Sequence, residues 1–133
     1  MESIETPTIM NHVSAGTNNL PEAITFYDPV MATLGAKRLF DESFAVAYGK
    51  QWPEFWVQLP FNEQQATPGN GVHFAFMAPD RAAVDAFHAA GLAAGGSCAG
   101  EPGERDYTPG YYAAFIIDLC GNKLEAVHMP LPG

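Results

Sequence analysis

The sequence predicts an α+β chain in which one strand–helix–strand–strand–strand unit is used twice. Short runs around residues 11–16, 54–59, 72–78 and 123–127 alternate apolar and polar side chains, the period of a half-buried strand. After the first and third of these, apolar residues recur at three- and four-residue spacing, the period of a helix. The two halves also match in detail. Phe26 follows His12 at the interval by which Phe87 follows His73, and Gly35 and Gly95 close the two helical stretches at nearly equal distances.

Residues 1–8 read as a short disordered lead. His12 opens a strand over 11–16, and Asn18 or Asn19 caps a helix whose first turn holds Pro21 and Glu22. Ile24, Tyr27, Met31 and Leu34 form its apolar stripe, Pro29 suggests a kink, and Gly35 ends it. Strands follow at 37–41, 44–48 and 54–59. Residues 61–71, polar and ending Pro-Gly-Asn-Gly, are the one clear linker, which divides the chain into a first module at 1–65 and a second at 66–133. The second module repeats the order. A strand at 72–78 leads to a helix opened by Asp80, with Val84, Phe87, Ala90 and Leu92 inward and Gly95-Gly96 at its end. A weak strand at 97–101 and a Gly/Pro loop to residue 110 precede a hairpin. In it an apolar run at 111–117 turns through Asp118-Leu119-Cys120-Gly121-Asn122 and returns along 123–127.

Composition narrows the function. The chain has 133 residues, 47% of them hydrophobic and 12% aromatic, enough for a core without staples. A net charge of −9 with six Lys and Arg residues disfavours nucleic acid and anionic membrane surfaces as partners. No run has transmembrane length, and the acidic start MESIETPTIM does not read as a signal peptide. Cys98 and Cys120 lack the spacing of a redox or metal motif, so two free thiols in a cytoplasmic protein are expected.

One helix covers only one face of each unit's sheet, and two bare faces side by side can curve around a shared cavity. Alternation then selects the side chains that meet there. Val13 and Ala15 take the helix side of the first strand, so His12 points into the cavity. Phe74 and Phe76 do the same for His73, Val57 and Leu59 for Trp56 and Gln58, and Leu124 and Ala126 for Glu125. A carboxylate in an apolar strand needs water, a cation or a metal. Strand pattern alone leaves Glu125 open to a plain edge-strand position in solvent. Two imidazoles and a carboxylate make a set that holds a divalent metal such as Zn, Ni, Mn or Fe. Gln58 is a weak fourth ligand or a hydrogen-bond donor to substrate. Trp52, Trp56, Tyr107 and Tyr111 read either as ordinary core or rim residues or as the lining of the mouth, and Arg38 and Arg105 are the cations nearest to it. His88 and His128 read as surface residues.

The segments HVSAGTNNLPEAITFYDPVMATLGA and GVHFAFMAPDRAAVDAFHAAGLAAGG, with PGYYAAFIIDLCGNKLEAV, resemble the vicinal oxygen chelate superfamily. That group includes glyoxalase I, fosfomycin-resistance proteins, extradiol dioxygenases and bleomycin-resistance proteins. The motifs GVHFAF and DxxGNxxE carry the resemblance, which spans roughly residues 10–128. It implies a glyoxalase-like fold of paired βαβββ modules in a curved mixed sheet around a cavity. It also implies metal ligands at His12, Gln58, His73 and Glu125, and a homodimer whose cavity lies within one chain or is shared by two. Gln58 stands where glyoxalase I-like members usually carry glutamate. Without Gln58, the set His12, His73 and Glu125 matches the three-ligand pattern of the dioxygenase and fosfomycin branches.

Three functions follow from the resemblance. The first is a metal-dependent lyase or isomerase of the glyoxalase type. It would chelate two adjacent oxygens of a small substrate and stabilise an enediolate, with Glu125 or a metal-bound hydroxide as base. Trp56, Arg105, Tyr107 and Tyr111 would bind the substrate, and the scarcity of cations argues against a glutathione adduct. The second is a metal-free module that sequesters a small aromatic or cationic ligand, as bleomycin-resistance proteins do. The third is Fe(II) dioxygenase chemistry, for which this chain is short.

Overall fold

A computed structural model describes residues 8–130. Residues 1–7, most of the expected lead, and residues 131–133 lie outside that range. The first half contains β1 (Val13–Gly16), α1 (Leu20–Ala32), β2 (Lys37–Asp41), β3 (Ala45–Gly49) and β4 (Phe55–Gln58). The second contains β5 (His73–Met77), α2 (Arg81–Ala93), β6 (Ser97–Glu104), β7 (Tyr112–Ile117) and β8 (Lys123–His128).

The two helices begin and end by the same devices. The Asn19 side chain accepts from the Glu22 N–H at 3.0 Å, and that of Asp80 from the Ala83 N–H at 2.8 Å. Gly35 (φ +78°) and Gly95 (φ +103°) take the left-handed conformation that turns the chain back. The next amide then reaches the helix again, Ala36 N–H to the Met31 carbonyl at 3.1 Å and Gly96 N–H to the Gly91 carbonyl at 2.9 Å. α1 runs on through Pro29 rather than ending there. Its buried face is wider than the expected stripe, comprising Leu20, Ala23, Phe26, Tyr27, Val30 and Met31, because α1 packs on its own sheet and also on α2. In α2, Leu92 is exposed and Gly91 faces the sheet instead; a Cβ there would stand 2.4 Å from the Ile116 side chain.

Each half forms its own four-stranded mixed sheet, in the orders β1-β4-β3-β2 and β5-β8-β7-β6. The outer pairs β1/β4 and β5/β8 are parallel and the other pairs antiparallel. The duplicated unit is therefore realised as two sheets of identical topology rather than one continuous sheet. β6 is longer than the expected 97–101 and extends through Pro102 and Gly103 to Glu104. It is an edge strand whose pairing with β7 slips between Cys98 and Gly100 and again between Gly100 and Gly103, where such residues are tolerated.

The helix-covered faces share one core. At its centre Phe55 of β4 contacts Tyr27 at 5.5 Å in its own half, and Phe74 and Phe76 of β5 at 5.4 and 5.0 Å across the junction. The β7–β8 turn ties the halves with polar groups. Asp118 accepts from the Cys120 and Asn122 amides, and the Tyr27 hydroxyl donates to it at 2.5 Å. The Asn122 side-chain amide donates to Asp118 and to the Gly16 carbonyl. His88, expected at the surface, is instead 9% exposed, with Nε2 3.2 Å from Cys98 Sγ, because α2 presents it to β6. His128 is half-buried and meets the Ala78 carbonyl through Nδ1. No described helix is long and apolar enough to cross a membrane.

Two outcomes are expected. Asn122→Ala removes both side-chain bonds of the clasp and should lower stability by about 2 kcal/mol, read as a shift in the urea midpoint. Burial, with a hydrogen bond to a nearby aspartate, raises the phenols of Tyr27 and Tyr48 well above the ordinary value of 10. A raised folded-state value means stability is fully present below the unfolded phenol's value and is lost as pH climbs past it. Urea unfolding followed from about pH 8 to pH 11 should show that decline, and Tyr27→Phe should flatten it.

Candidate functional site

β8 is buried on both sides but for different reasons. Leu124 and Ala126 enter the core, whereas Glu125 projects from the face no helix covers. Its side chain is only 3% exposed. The parallel neighbour β5 aligns His73 with Lys123 and Ala75 with Glu125, so the imidazole stands beside the carboxylate, Nε2 3.1 Å from Oε1. Tyr111, one residue before β7, donates its hydroxyl to the other oxygen, Oε2. Burial and this bond to Glu125 push the Tyr111 phenol far up, so it remains a donor to the carboxylate throughout the ordinary pH range. The His73 side chain is 46% exposed, which leaves the pair open on one side.

The opening is a cleft of about 510 Å³ lined by His73, Glu125, Arg105, Tyr107 and Tyr111. Tyr107 lies at the mouth, edge-to-face with Tyr111 at a ring separation of 5.1 Å. Arg105 is steadied by a 2.7 Å bond from Nη2 to the Glu101 carbonyl. Besides Ala99 and Gly100, two lining residues with functional side chains escaped the sequence reading, Phe115 and Lys123. Lys123 was available in principle, since it lies two residues before Glu125 on the same strand face. Phe115 required the register that sets it opposite Glu125.

The remaining candidates gather on the open face of the other sheet. His12 immediately precedes β1, is exposed, and has its Nδ1 2.6 Å from the Asn11 side-chain oxygen. Its ring lies 5.8 Å from that of Trp56, which in turn contacts Phe40 at 4.7 Å. The Trp56 indole N–H is buried without an acceptor. Gln58 is half-buried at the end of β4, two residues on from Trp56. Arg38 is neutralised by Asp28 and Asp41, away from either group. The structure thus assembles His73, Glu125, Arg105, Tyr107 and Tyr111 in one place and His12, Trp56 and Gln58 in another. Among the described residues no three His, Cys, Asp or Glu side chains stand close enough to hold one metal ion.

A model of the Glyoxalase/Bleomycin resistance protein/Dioxygenase superfamily matches residues 9–126. The chain belongs to this superfamily. Among solved structures, a glyoxalase/bleomycin resistance protein from Albidiferax ferrireducens T118 is 38% identical, with a TM-score of 0.85 over 91% of this chain and 99% of that one. Lactoylglutathione lyase from Agrobacterium tumefaciens is 20% identical, TM-score 0.65, covering 93% and 95%. TioX from Micromonospora sp. ML1 is 15% identical, TM-score 0.63, covering 92% and 98%. These last two share the fold. No curated protein matches the chain.

Members of the superfamily typically bind a divalent metal. His73 and Glu125 fit such an ion as half of a donor set, a ring nitrogen and carboxylate oxygens converging at the base of a cleft. The unpartnered indole of Trp56 yields a separate expectation. Trp56→Phe removes a desolvated donor while keeping most of the packing, so it should change stability by less than about 1 kcal/mol. Trp56→Ala should cost about 3 kcal/mol. Chemical denaturation of the two variants checks the contrast.

Proposed function

We propose that the protein is a metal-dependent enzyme of the glyoxalase type that acts on a small substrate with two adjacent oxygens. The observation that carries this reading is the buried Glu125 carboxylate, held between His73 and Tyr111 at the base of a cleft. His73 and Glu125 would hold the ion on one side, and His12, with Gln58 as a weaker donor, would complete the set from the first sheet of a second copy. Zn, Ni, Mn and Fe all suit such donors. The exposed apolar side chains near the two open faces, Phe44 at 57% and Met77 at 68%, favour such a covering by a second chain.

The ion, when bound, supplies positive charge to the paired substrate oxygens. The chain's own groups supply the rest. Tyr111 holds one oxygen of Glu125, and the other, beside His73 at the base of the cleft, is the one that would take a proton from carbon. His73 orients that oxygen from the side. Tyr107, Tyr111 and Phe115 shield the reacting atoms from water.

Protein made without a polyhistidine tag should carry metal, and His12→Ala and Glu125→Ala should each lose it. In a two-fold dimer with shared sites, mixing the two variants rebuilds one intact site per mixed pair, so about a quarter of the wild-type metal content should return. Metal retained by Glu125→Ala would sink the reading, and no recovery on mixing would place the whole site within one chain. Screening α-ketoaldehydes, thiol adducts and catechols on loaded protein then identifies the substrate. A second reading, a metal-free binding module, is favoured by the aromatic lining of the cleft and by a Glu125 already satisfied by two donors. Metal-free protein whose ligand binding is unchanged by His73→Ala would establish it.

A further inference from the structure

The cations of this acidic chain are few, and their placement is uneven. Of the six, Arg38 is paired with Asp28 and Asp41, and Arg81 with Glu104. Arg105 and Lys123 have no carboxylate within ion-pair distance among the described residues, yet both stand over the same ring. The Arg105 guanidinium carbon is 5.5 Å and the Lys123 nitrogen 5.1 Å from the centre of Phe115. Two like charges around one ring repel each other, and a cation–π contact at a partly exposed site returns only about 0.5–1 kcal/mol. Packing alone gives no reason to bring them together.

The backbone is shaped to allow the arrangement. β6 lacks side chains at Gly100 and Gly103. A Cβ at Gly100 would stand 2.9 Å from the Phe115 ring and 3.1 Å from Arg105 Nη2, and one at Gly103 would stand 3.3 Å from Nη1. The guanidinium therefore lies along the strand, with one nitrogen on the Glu101 carbonyl and other N–H groups free. Lys123 rises from the strand position two before Glu125 and also stands over the ring. Phe115 lines the cleft with both cations and opposes Glu125 in register.

We propose that the cleft takes a small carboxylate, its anionic end held between Arg105 and Lys123 and its body lying over Phe115 toward Glu125. Three features select this ligand class. The net charge of −9 repels anions from the surface at large, so an anion needs a local positive site. A guanidinium fork matches the planar carboxylate. Glu125 repels negative charge at the other end of the cleft, which orients the ligand with its neutral, reactive part toward the base. This assignment names the substrate class for the reaction proposed above, but the binding itself requires only the chain's two cations.

The test uses the full chain freed of metal by chelation, with benzoate as probe and benzamide as its neutral counterpart, titrated by calorimetry and by NMR. Benzoate should bind at least about ten-fold tighter than benzamide and weaken with added salt. Arg105→Gln and Lys123→Gln should each reduce the preference several-fold, and the double variant should abolish it while keeping the wild-type circular dichroism. Equal binding of the two probes, no benzoate binding in the millimolar range, or a preference that survives in the double variant would overturn the proposal. Metal uptake with no benzoate preference removes this proposal alone. Benzoate held by the two cations in a protein that never takes up metal removes the metal-dependent reading alone.

Discussion

One helix covers one face of a four-stranded sheet and no more. In each half of this protein the helix takes the face bearing large apolar side chains, and those two faces close together around Phe55, Tyr27, Phe74 and Phe76. The uncovered faces are therefore free to carry polar and aromatic groups. A carboxylate such as Glu125 is tolerated in the middle of a strand because its face looks onto a cleft and not into the core. The site is thus a consequence of how the core is made.

The polar groups on that open face restrain one another. Glu125 is nearly as inaccessible as the core residues beside it, and two neighbouring strands and a loop each contribute to its environment. β5 brings His73, the segment before β7 brings Tyr111, and β7 brings Phe115. A buried carboxylate with two donors has a fixed direction, which is what a general base or a metal ligand requires. The arrangement on the other sheet differs in kind. His12 is exposed and Trp56 leaves its N–H without an acceptor, so the first sheet's open face is unsatisfied in a way that the second's is not.

Membership of the glyoxalase/bleomycin resistance/dioxygenase superfamily accounts for the duplicated βαβββ architecture and leaves the chemistry to the residues of the cleft. The fold was legible in the sequence because its signals are local. Asn19 and Asp80 as caps, Gly35 and Gly95 as closures, and the alternation around His73 and Glu125 each act within a few residues. β6 was not legible beyond residue 101. Pro102 and Gly103 read as loop, and only pairing with β7 at a sheet edge makes a strand of them. His88 was misjudged for a related reason: helical periodicity does not say which neighbouring strand a side chain will face.

By itself the sequence determined the repeat, the strand faces and the identity of the polar groups on the uncovered sides, because a period of two or of three to four is set by backbone geometry alone. Tertiary structure decided which of those groups meet. His73 reaches Glu125 because β5 runs parallel to β8, Tyr111 and Phe115 join them through the register of β7, and His12 stays with Trp56 on the separate first sheet. Those meetings depend on contacts between residues far apart along the chain, and no local pattern encodes them.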